Sequence, residues 1–133
     1  MKDLKFDPKE FEAHLQECGA DLRTIVAYLR NTAEHVGANV SPRPYVPKTG
    51  WGVTYYRGEQ WFCQFHPKRP KNHVQALIHD ANPAALKRVG FFVADRDDEQ
   101  PWVEIKRMRD AVRLVPFVLE AAGPDLNRRG TFR

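Results

Sequence analysis

The sequence is poor in the residues that mark metal centres, disulfide frameworks and membrane segments. It has two cysteines, Cys18 and Cys63, without the paired spacing of a disulfide framework or a zinc site. No apolar run approaches the roughly 20 residues needed to cross a bilayer, and the first residues lack the apolar stretch of a secretion signal. These features predict a soluble cytoplasmic protein whose cysteines are reduced and packed.

Motifs of several catalytic classes are missing as well. The glycine-containing segment 50–52 does not precede a helical pattern, so no phosphate-cradling loop is indicated. Cys63 and His66 lie three residues apart on a predicted strand and point to opposite faces, which suits neither a nucleophile with its base nor a metal pair. His73 and His79 share a face but stand about 20 Å apart. We expect no metal, no cofactor and no catalytic residue.

The length indicates one domain, and the charged residues are unevenly distributed along the chain. The 133 residues are 42% hydrophobic, enough for a single core without metal or disulfide support. The net charge is +4, and residues 41–79 hold six Lys or Arg against one Asp or Glu. Such a basic stretch attracts nucleic acid, an anionic metabolite or an acidic partner.

The N-terminal part predicts two helices followed by a connector. Asp7 and the proline after it begin the first helix, which ends near Gly19. The second runs from Asp21 to Gly37, because apolar residues recur there at helical spacing. Three prolines between residues 42 and 47 rule out a helix and disfavour a central strand. We therefore expect an ordered connector over residues 38–50.

The rest of the chain predicts a sheet and a closing helix. Strands are predicted over 51–57, 60–66, 73–79 and 102–107. A final helix is capped near Asp110, and Pro116 either kinks it or marks its beginning. The fold class is α+β, with a four-stranded, mainly antiparallel sheet packed on two N-terminal helices and a C-terminal helix. Residues 124–133 form a flexible basic tail.

Alternation along the first hairpin predicts which side chains share a face. With Tyr56 opposite Trp61, the core face of the hairpin holds Gly52, Thr54, Tyr56, Trp61, Cys63 and Phe65. The opposite face is aromatic and polar. The residues predicted to bind a ligand there fall into three groups: Trp51, Tyr55, Phe62 and Trp102 as stacking platforms or walls; Gln64, His66, His73 and Gln75 as polar contacts; Arg57, Lys68, Arg69 and Lys71 as cations.

Three segments carry a resemblance to a known family. The pair Tyr55-Tyr56 with the run WFCQFHPK at 61–68, the strand WVEI at 102–105 and the segment VLE at 118–120 resemble a family of small uncharacterised bacterial domains. These domains stand alone or sit at the end of restriction-type proteins. The resemblance covers about residues 21–122 and implies helices, an antiparallel sheet and a closing helix, without catalytic residues to transfer.

Binding is the function that the pattern favours. Aromatic side chains on a sheet stack flat groups, and the basic residues beside them attract negative charge. We therefore expect a noncatalytic binding module for a flat or anionic ligand, with nucleic acid among the candidates and no membrane partner.

Two alternatives stay open. One is a metal-dependent nuclease, in which Glu104 and Lys106 form half of the signature and Asp80 or Asp95 supplies the other carboxylate. The other is a protein interaction or homodimer module, because exposed apolar surface often marks an interface.

Overall fold

The chain folds as one antiparallel sheet with helices against it. A computed structural model describes residues 8–16, 18–45, 52–68, 73–94 and 102–123. The elements in chain order are α1 (Pro8–Gln16), α2 (Ala20–Glu34), β1 (Val40–Tyr45), β2 (Gly52–Arg57), β3 (Gln60–Lys68), β4 (His73–Ile78), α3 (Pro83–Arg88), β5 (Val93–Ala94), β6 (Trp102–Ile105) and α4 (Met108–Ala122). The strand order is β1-β2-β3-β4-β6-β5, and all the pairs are antiparallel. The α+β class is confirmed.

The predicted number of strands was wrong, because the sequence shows no strand pattern for two of them. Residues 40–45, expected to belong to a connector, form β1 at one edge of the sheet. Pro42 and Pro44 lie opposite Tyr55 and Val53. Prolines are tolerated there because an edge strand has one side on which no N–H donor is needed. At the other edge, β5 has only two residues, too few for any alternation to show.

The helices follow the predicted apolar spacing. The buried side chains of α2 are Leu22, Ile25, Val26, Leu29 and Ala33, which form one stripe. α3 is a fourth helix, which the predicted fold of three helices did not include. It begins after Asn82, whose Oδ1 accepts hydrogen bonds from the N–H groups of Ala84 and Ala85. Within the described part of the chain, no helix is both long and apolar enough to cross a membrane.

The closing helix, α4, runs through its proline. It extends from Met108 to Ala122 with Pro116 inside, so this proline does not mark its beginning. The Asp110 carboxylate accepts hydrogen bonds from the backbone N–H groups of Lys106 and Arg107, at 3.2 Å each. Asp110 is the third residue of the helix and caps it from there, while the N-cap residue is Arg107, three residues before the predicted position.

The core lies between the helices and one face of the sheet. Its buried side chains include Phe11 and Leu15 of α1, Leu29 of α2, Val53 and Phe65 of the sheet, and Leu114 and Val118 of α4. The opposite face of the sheet is turned away from this core. The predicted basic tail lies outside the described residues.

Candidate binding surface on the outer face of the sheet

A one-residue bulge in β3 decides which side chains of the hairpin face the helices. Tyr56 lies opposite Trp61, as predicted, but Tyr55 lies opposite Cys63. Phe62 is therefore the extra residue, and the register shifts by one between Tyr55 and Tyr56. Because side chains alternate along a strand, the shift exchanges the two faces predicted for β2.

Tyr55 and Phe62 consequently belong to the core. Their exposed fractions are 0% and 1%, and their ring centroids are 6.5 Å apart. The Tyr55 hydroxyl accepts a hydrogen bond from Nε of Arg30 (2.8 Å) and donates one to Oε2 of Glu34 (2.6 Å). Burial raises the pKa of Tyr55 far above its ordinary value, against the lowering effect of the Arg30 hydrogen bond. The prediction that Tyr55 and Phe62 form ligand-stacking platforms was wrong.

Tyr56 and Trp61 take their place on the face turned away from the helices. We call this face the outer face. Its side chains, several of them half-buried, are Arg43, Thr54, Tyr56, Trp61, Gln64, His66, Lys68, His73, Gln75, Leu77, His79, Trp102 and Glu104. Gln64, His66, Lys68, His73, Gln75 and Trp102 are predicted ligand-binding residues that do share this face. The prediction that Thr54, Tyr56 and Trp61 belong to the core was wrong.

Aromatic rings with polar neighbours occupy one end of the outer face. The guanidinium carbon of Arg43 lies 3.8 Å from the centroid of the Tyr56 ring, a cation–π contact. The Trp61 ring meets the His79 imidazole edge to face, with centroids 4.9 Å apart. We call these four residues the aromatic end. It presents ring surface and a planar cation to the same side of the sheet.

The middle of the outer face is a polar row ending in a tryptophan. The Thr54 hydroxyl donates a 2.8 Å hydrogen bond to Oε1 of Gln64, which fixes the amide on the sheet surface. Farther along, Nζ of Lys68 lies 5.9 Å from the centroid of the Trp102 ring. A second half-buried ring is thus placed beside a cation.

Ionisable side chains gather at the other end. His66 lies opposite Gln75, and Lys68 lies opposite His73. Nε2 of His73 is 3.8 Å from Oε2 of Glu104. The exposed fractions of His66 and His73 are only 3% and 4%, so both imidazoles are shielded from water. We call His66, Lys68, His73, Glu104 and its neighbour Lys106 the ionisable end.

A third histidine approaches this end from the helical layer. Nε2 of His14, on α1, donates a 3.1 Å hydrogen bond to the carbonyl oxygen of Pro67. Burial, together with the smaller effects of the charges on Lys68, His14 and His73, lowers the pKa of His66 to about 4. His66 is therefore a neutral imidazole at neutral pH.

Arg57, a predicted ligand-binding cation, points to the helical side instead. Its guanidinium donates hydrogen bonds to the carbonyl oxygens of Ala38 (3.1 Å), Ala122 (3.2 Å) and Gly123 (2.9 Å). These contacts join the end of α4 to the segment before β1. The placement of Arg57 on the ligand face was wrong for the same reason as that of Tyr55. Trp51, Arg69 and Lys71 lie outside the described residues.

The nuclease residues do not come together in the described part of the chain. Glu104 lies opposite Gln75, whereas Asp80 lies in the turn beyond Ile78, the last residue of β4. Lys106 lies 3.6 Å from Glu104. Among the described residues, no three His, Cys, Asp or Glu side chains are arranged to hold a metal ion. Asp95 lies outside those residues.

No protein-family model, curated protein or solved structure matches this chain. The resemblance to small bacterial domains stays a prediction. Sequence reasoning missed Arg43, Tyr56 and Trp61 as outer-face residues. The sequence gives no clear sign of the bulge, because Tyr55 and Tyr56 are both aromatic, as are Trp61 and Phe62, and either residue of each pair suits a core position.

Proposed function

We propose that the outer face of the sheet is a noncatalytic binding surface for a flat, negatively charged ligand, and that single-stranded nucleic acid suits it best. The observation that carries the proposal is the pairing of half-buried rings with cations, Tyr56 with Arg43 and Trp102 with Lys68. Nucleobases stack on aromatic rings and on guanidinium planes, and phosphates are attracted by the neighbouring cations.

The spacing of the rings supports an extended ligand. Tyr56 is on β2 and Trp102 is on β6, three strands farther along the sheet. At about 4.8 Å per strand, the two rings are roughly 14 Å apart across the sheet. One flat group does not span that distance, so the face has room for successive bases of one strand.

Base stacking also favours a single strand over a duplex. In a duplex the base faces are buried in the helical stack, whereas unpaired bases are free to stack on protein side chains. The excess of five positive charges in residues 41–79 adds attraction that does not depend on base sequence.

The proposal is tested by fluorescence anisotropy with labelled single-stranded DNA, single-stranded RNA and duplex DNA, at low and near-physiological salt. We expect single strands to bind at both salt concentrations. Tyr56→Ala and Trp61→Ala should each weaken binding by about 1–3 kcal/mol, the usual contribution of one stacked base. Tyr28→Ala is the matched control, because Tyr28 lies on α2 and packs against the core.

Two results contradict this function. Binding that vanishes at near-physiological salt shows attraction by surface charge alone. An equal loss of affinity in Tyr28→Ala and Tyr56→Ala shows that the outer face is not the binding surface.

Association with a protein is a second candidate, favoured by a different observation. Phe92 is 82% exposed, and Val112 and Leu119 are half exposed on α4. Exposed apolar side chains often belong to interfaces. Light scattering over a range of protein concentrations measures self-association; a constant monomer mass rules out a second copy as the partner.

A further inference from the structure

A row of side chains crosses the middle of the outer face at right angles to the strands. In this row Arg43 lies opposite Thr54, Thr54 opposite Gln64, Gln64 opposite Leu77 and Leu77 opposite Trp102. Residues directly opposite each other on antiparallel strands have Cβ atoms about 4.5–5.5 Å apart. The row therefore joins a cation on β1 to a ring on β6, with one amide and one apolar side chain at its centre.

The Gln64 side chain is held in one orientation by Thr54. Oε1 of Gln64 accepts the 2.8 Å hydrogen bond from the Thr54 hydroxyl, so Nε2 is turned away from β2. The two N–H groups of Nε2 take no part in this bond, and an amide nitrogen donates hydrogen bonds without accepting them. Gln64 therefore offers donors at the centre of the row, and a group that binds there has to supply an acceptor.

Leu77 places an apolar side chain beside those donors. It lies opposite Gln64 on β4, and its other neighbour in the row is Trp102. Gln64 and Leu77 are both half-buried, so each keeps part of its surface exposed on the outer face. The pair therefore suits a flat group that carries an acceptor and an apolar substituent on adjacent atoms.

Thymine is the base with that combination. Its O4 atom accepts hydrogen bonds and its C5 methyl group is apolar, and the two are attached to adjacent ring carbons. Cytosine has an amino donor in the place of O4, and uracil lacks the methyl group. In a single strand, this edge of the base is accessible to protein side chains.

We infer that the centre of the outer face binds a thymine base, with Gln64 donating a hydrogen bond to O4 and Leu77 contacting the methyl group. Thr54 is a positioning residue, because it contacts Gln64 and not the base. The inference rests on the proposed function and adds a base preference to it. The preferred ligand is single-stranded DNA that contains thymine.

The test compares the affinities of oligodeoxythymidylate, oligodeoxyuridylate and oligodeoxycytidylate of equal length, by fluorescence anisotropy at near-physiological salt. The three strands have the same sugar and phosphate, so the ratios of their affinities report on the base. Thymidylate should bind about fourfold more tightly than deoxyuridylate, the effect of burying one methyl group. Deoxyuridylate should bind about fivefold more tightly than deoxycytidylate, because a donor of Gln64 meets a donor of cytosine.

Variants assign each ratio to one side chain. Leu77→Ala should remove the preference for thymidylate over deoxyuridylate, with Leu119→Ala on α4 as the matched control. Gln64→Glu should reverse the preference between deoxyuridylate and deoxycytidylate, because a carboxylate accepts a hydrogen bond from the cytosine amino group. Gln16→Glu is the control for the added charge, because Gln16 is exposed on α1. Both controls should keep both ratios.

The ratios also separate base recognition from folding, since a variant that folds less well loses affinity for all three strands equally. Equal affinity of the unaltered protein for the three strands overturns the inference and leaves the proposed function standing. A preference for thymidylate that survives in both Leu77→Ala and Gln64→Glu also overturns the inference, because other residues then recognise the base. Failure to bind any of the strands overturns both.

Discussion

The hydroxyl of Tyr55 donates a 2.6 Å hydrogen bond to Glu34, which ties β2 to α2. Arg30 donates to the same hydroxyl oxygen at 2.8 Å. Tyr55→Phe removes both bonds and keeps the ring in the core. We expect the free energy of unfolding to fall by about 1–2 kcal/mol, with nucleic-acid binding unchanged. Chemical denaturation and anisotropy measure the two effects.

Tyr56→Phe is the matched control for that experiment. The Tyr56 ring lies on the outer face and contacts Arg43 through its π surface, which phenylalanine retains. Its free energy of unfolding should change by less than about 0.5 kcal/mol, as at most surface positions. Equal destabilisation by Tyr55→Phe and Tyr56→Phe would contradict the bulged register.

Arg57 is expected to stabilise the end of α4. Arg57→Ala leaves the carbonyl oxygens of Ala122 and Gly123 without the guanidinium that they contact at 3.2 and 2.9 Å. The loss should be about 1–3 kcal/mol, the range for hydrogen bonds to a charged group. Arg57→Lys should recover little of this stability, because a lysine ammonium does not reproduce the planar guanidinium with its several N–H donors. Hydrogen exchange should quicken in the last turn of α4.

Arg43→Ala provides the comparison, since Arg43 is a cation of the outer face. It should cost at most about 1 kcal/mol in stability and should weaken nucleic-acid binding, whereas Arg57→Ala should show the opposite pattern. The prediction fails if Arg57→Ala reduces affinity more than it reduces stability.

The stability of the fold should depend on pH through His66. Its pKa is about 4 in the folded protein and near the ordinary value of 6.5 in the unfolded chain. Above about pH 6.5 the contribution of His66 to the free energy of unfolding is fully present. It is lost as the pH falls toward about 4, because between these pH values the proton binds to the unfolded chain and not to the folded protein. The full shift corresponds to about 3 kcal/mol. His66→Gln should flatten this decline in denaturation curves, and an unaltered decline would assign it to other groups.

Pro116 should be a destabilising residue within α4. It is exposed and lies in the interior of the helix, where proline lacks the N–H that would bond to the carbonyl of Val112. Pro116→Ala should raise the free energy of unfolding by about 1–3 kcal/mol. Thermal and chemical denaturation test this, with Val112→Ala as a control of similar exposure. A loss of stability in Pro116→Ala would show that α4 depends on the distortion imposed by the proline.

The helices and the central strands could be predicted because each depends on local pattern. The spacing of apolar residues predicts the buried stripe of α2. The side chain of Asn82 is of a type that caps helices, so it indicates the start of α3. β1 could not be predicted in the same way. Its prolines indicate an irregular segment, and only its position at the edge of the sheet makes a strand compatible with them.

The candidate surface was predicted in part, for a related reason. The assignments on β4 and β6 were right, because no irregularity interrupts their alternation. On β2 and β3, a single extra residue exchanged Tyr55 and Phe62 for Tyr56 and Trp61. Both sets are aromatic, so composition does not distinguish them, and the register of a hairpin depends on a bulge that sequence patterns rarely reveal.

The most direct test of the outer face as a binding surface is an NMR titration with an unlabelled oligothymidylate at near-physiological salt. The side-chain N–H groups of Trp61 and Trp102 report on this face, and the backbone amide of Leu119 reports on the helical side. We predict that both tryptophan signals shift as the oligonucleotide is added, while the Leu119 signal stays in place. Shifts confined to α4, or no shifts at all, would contradict the account.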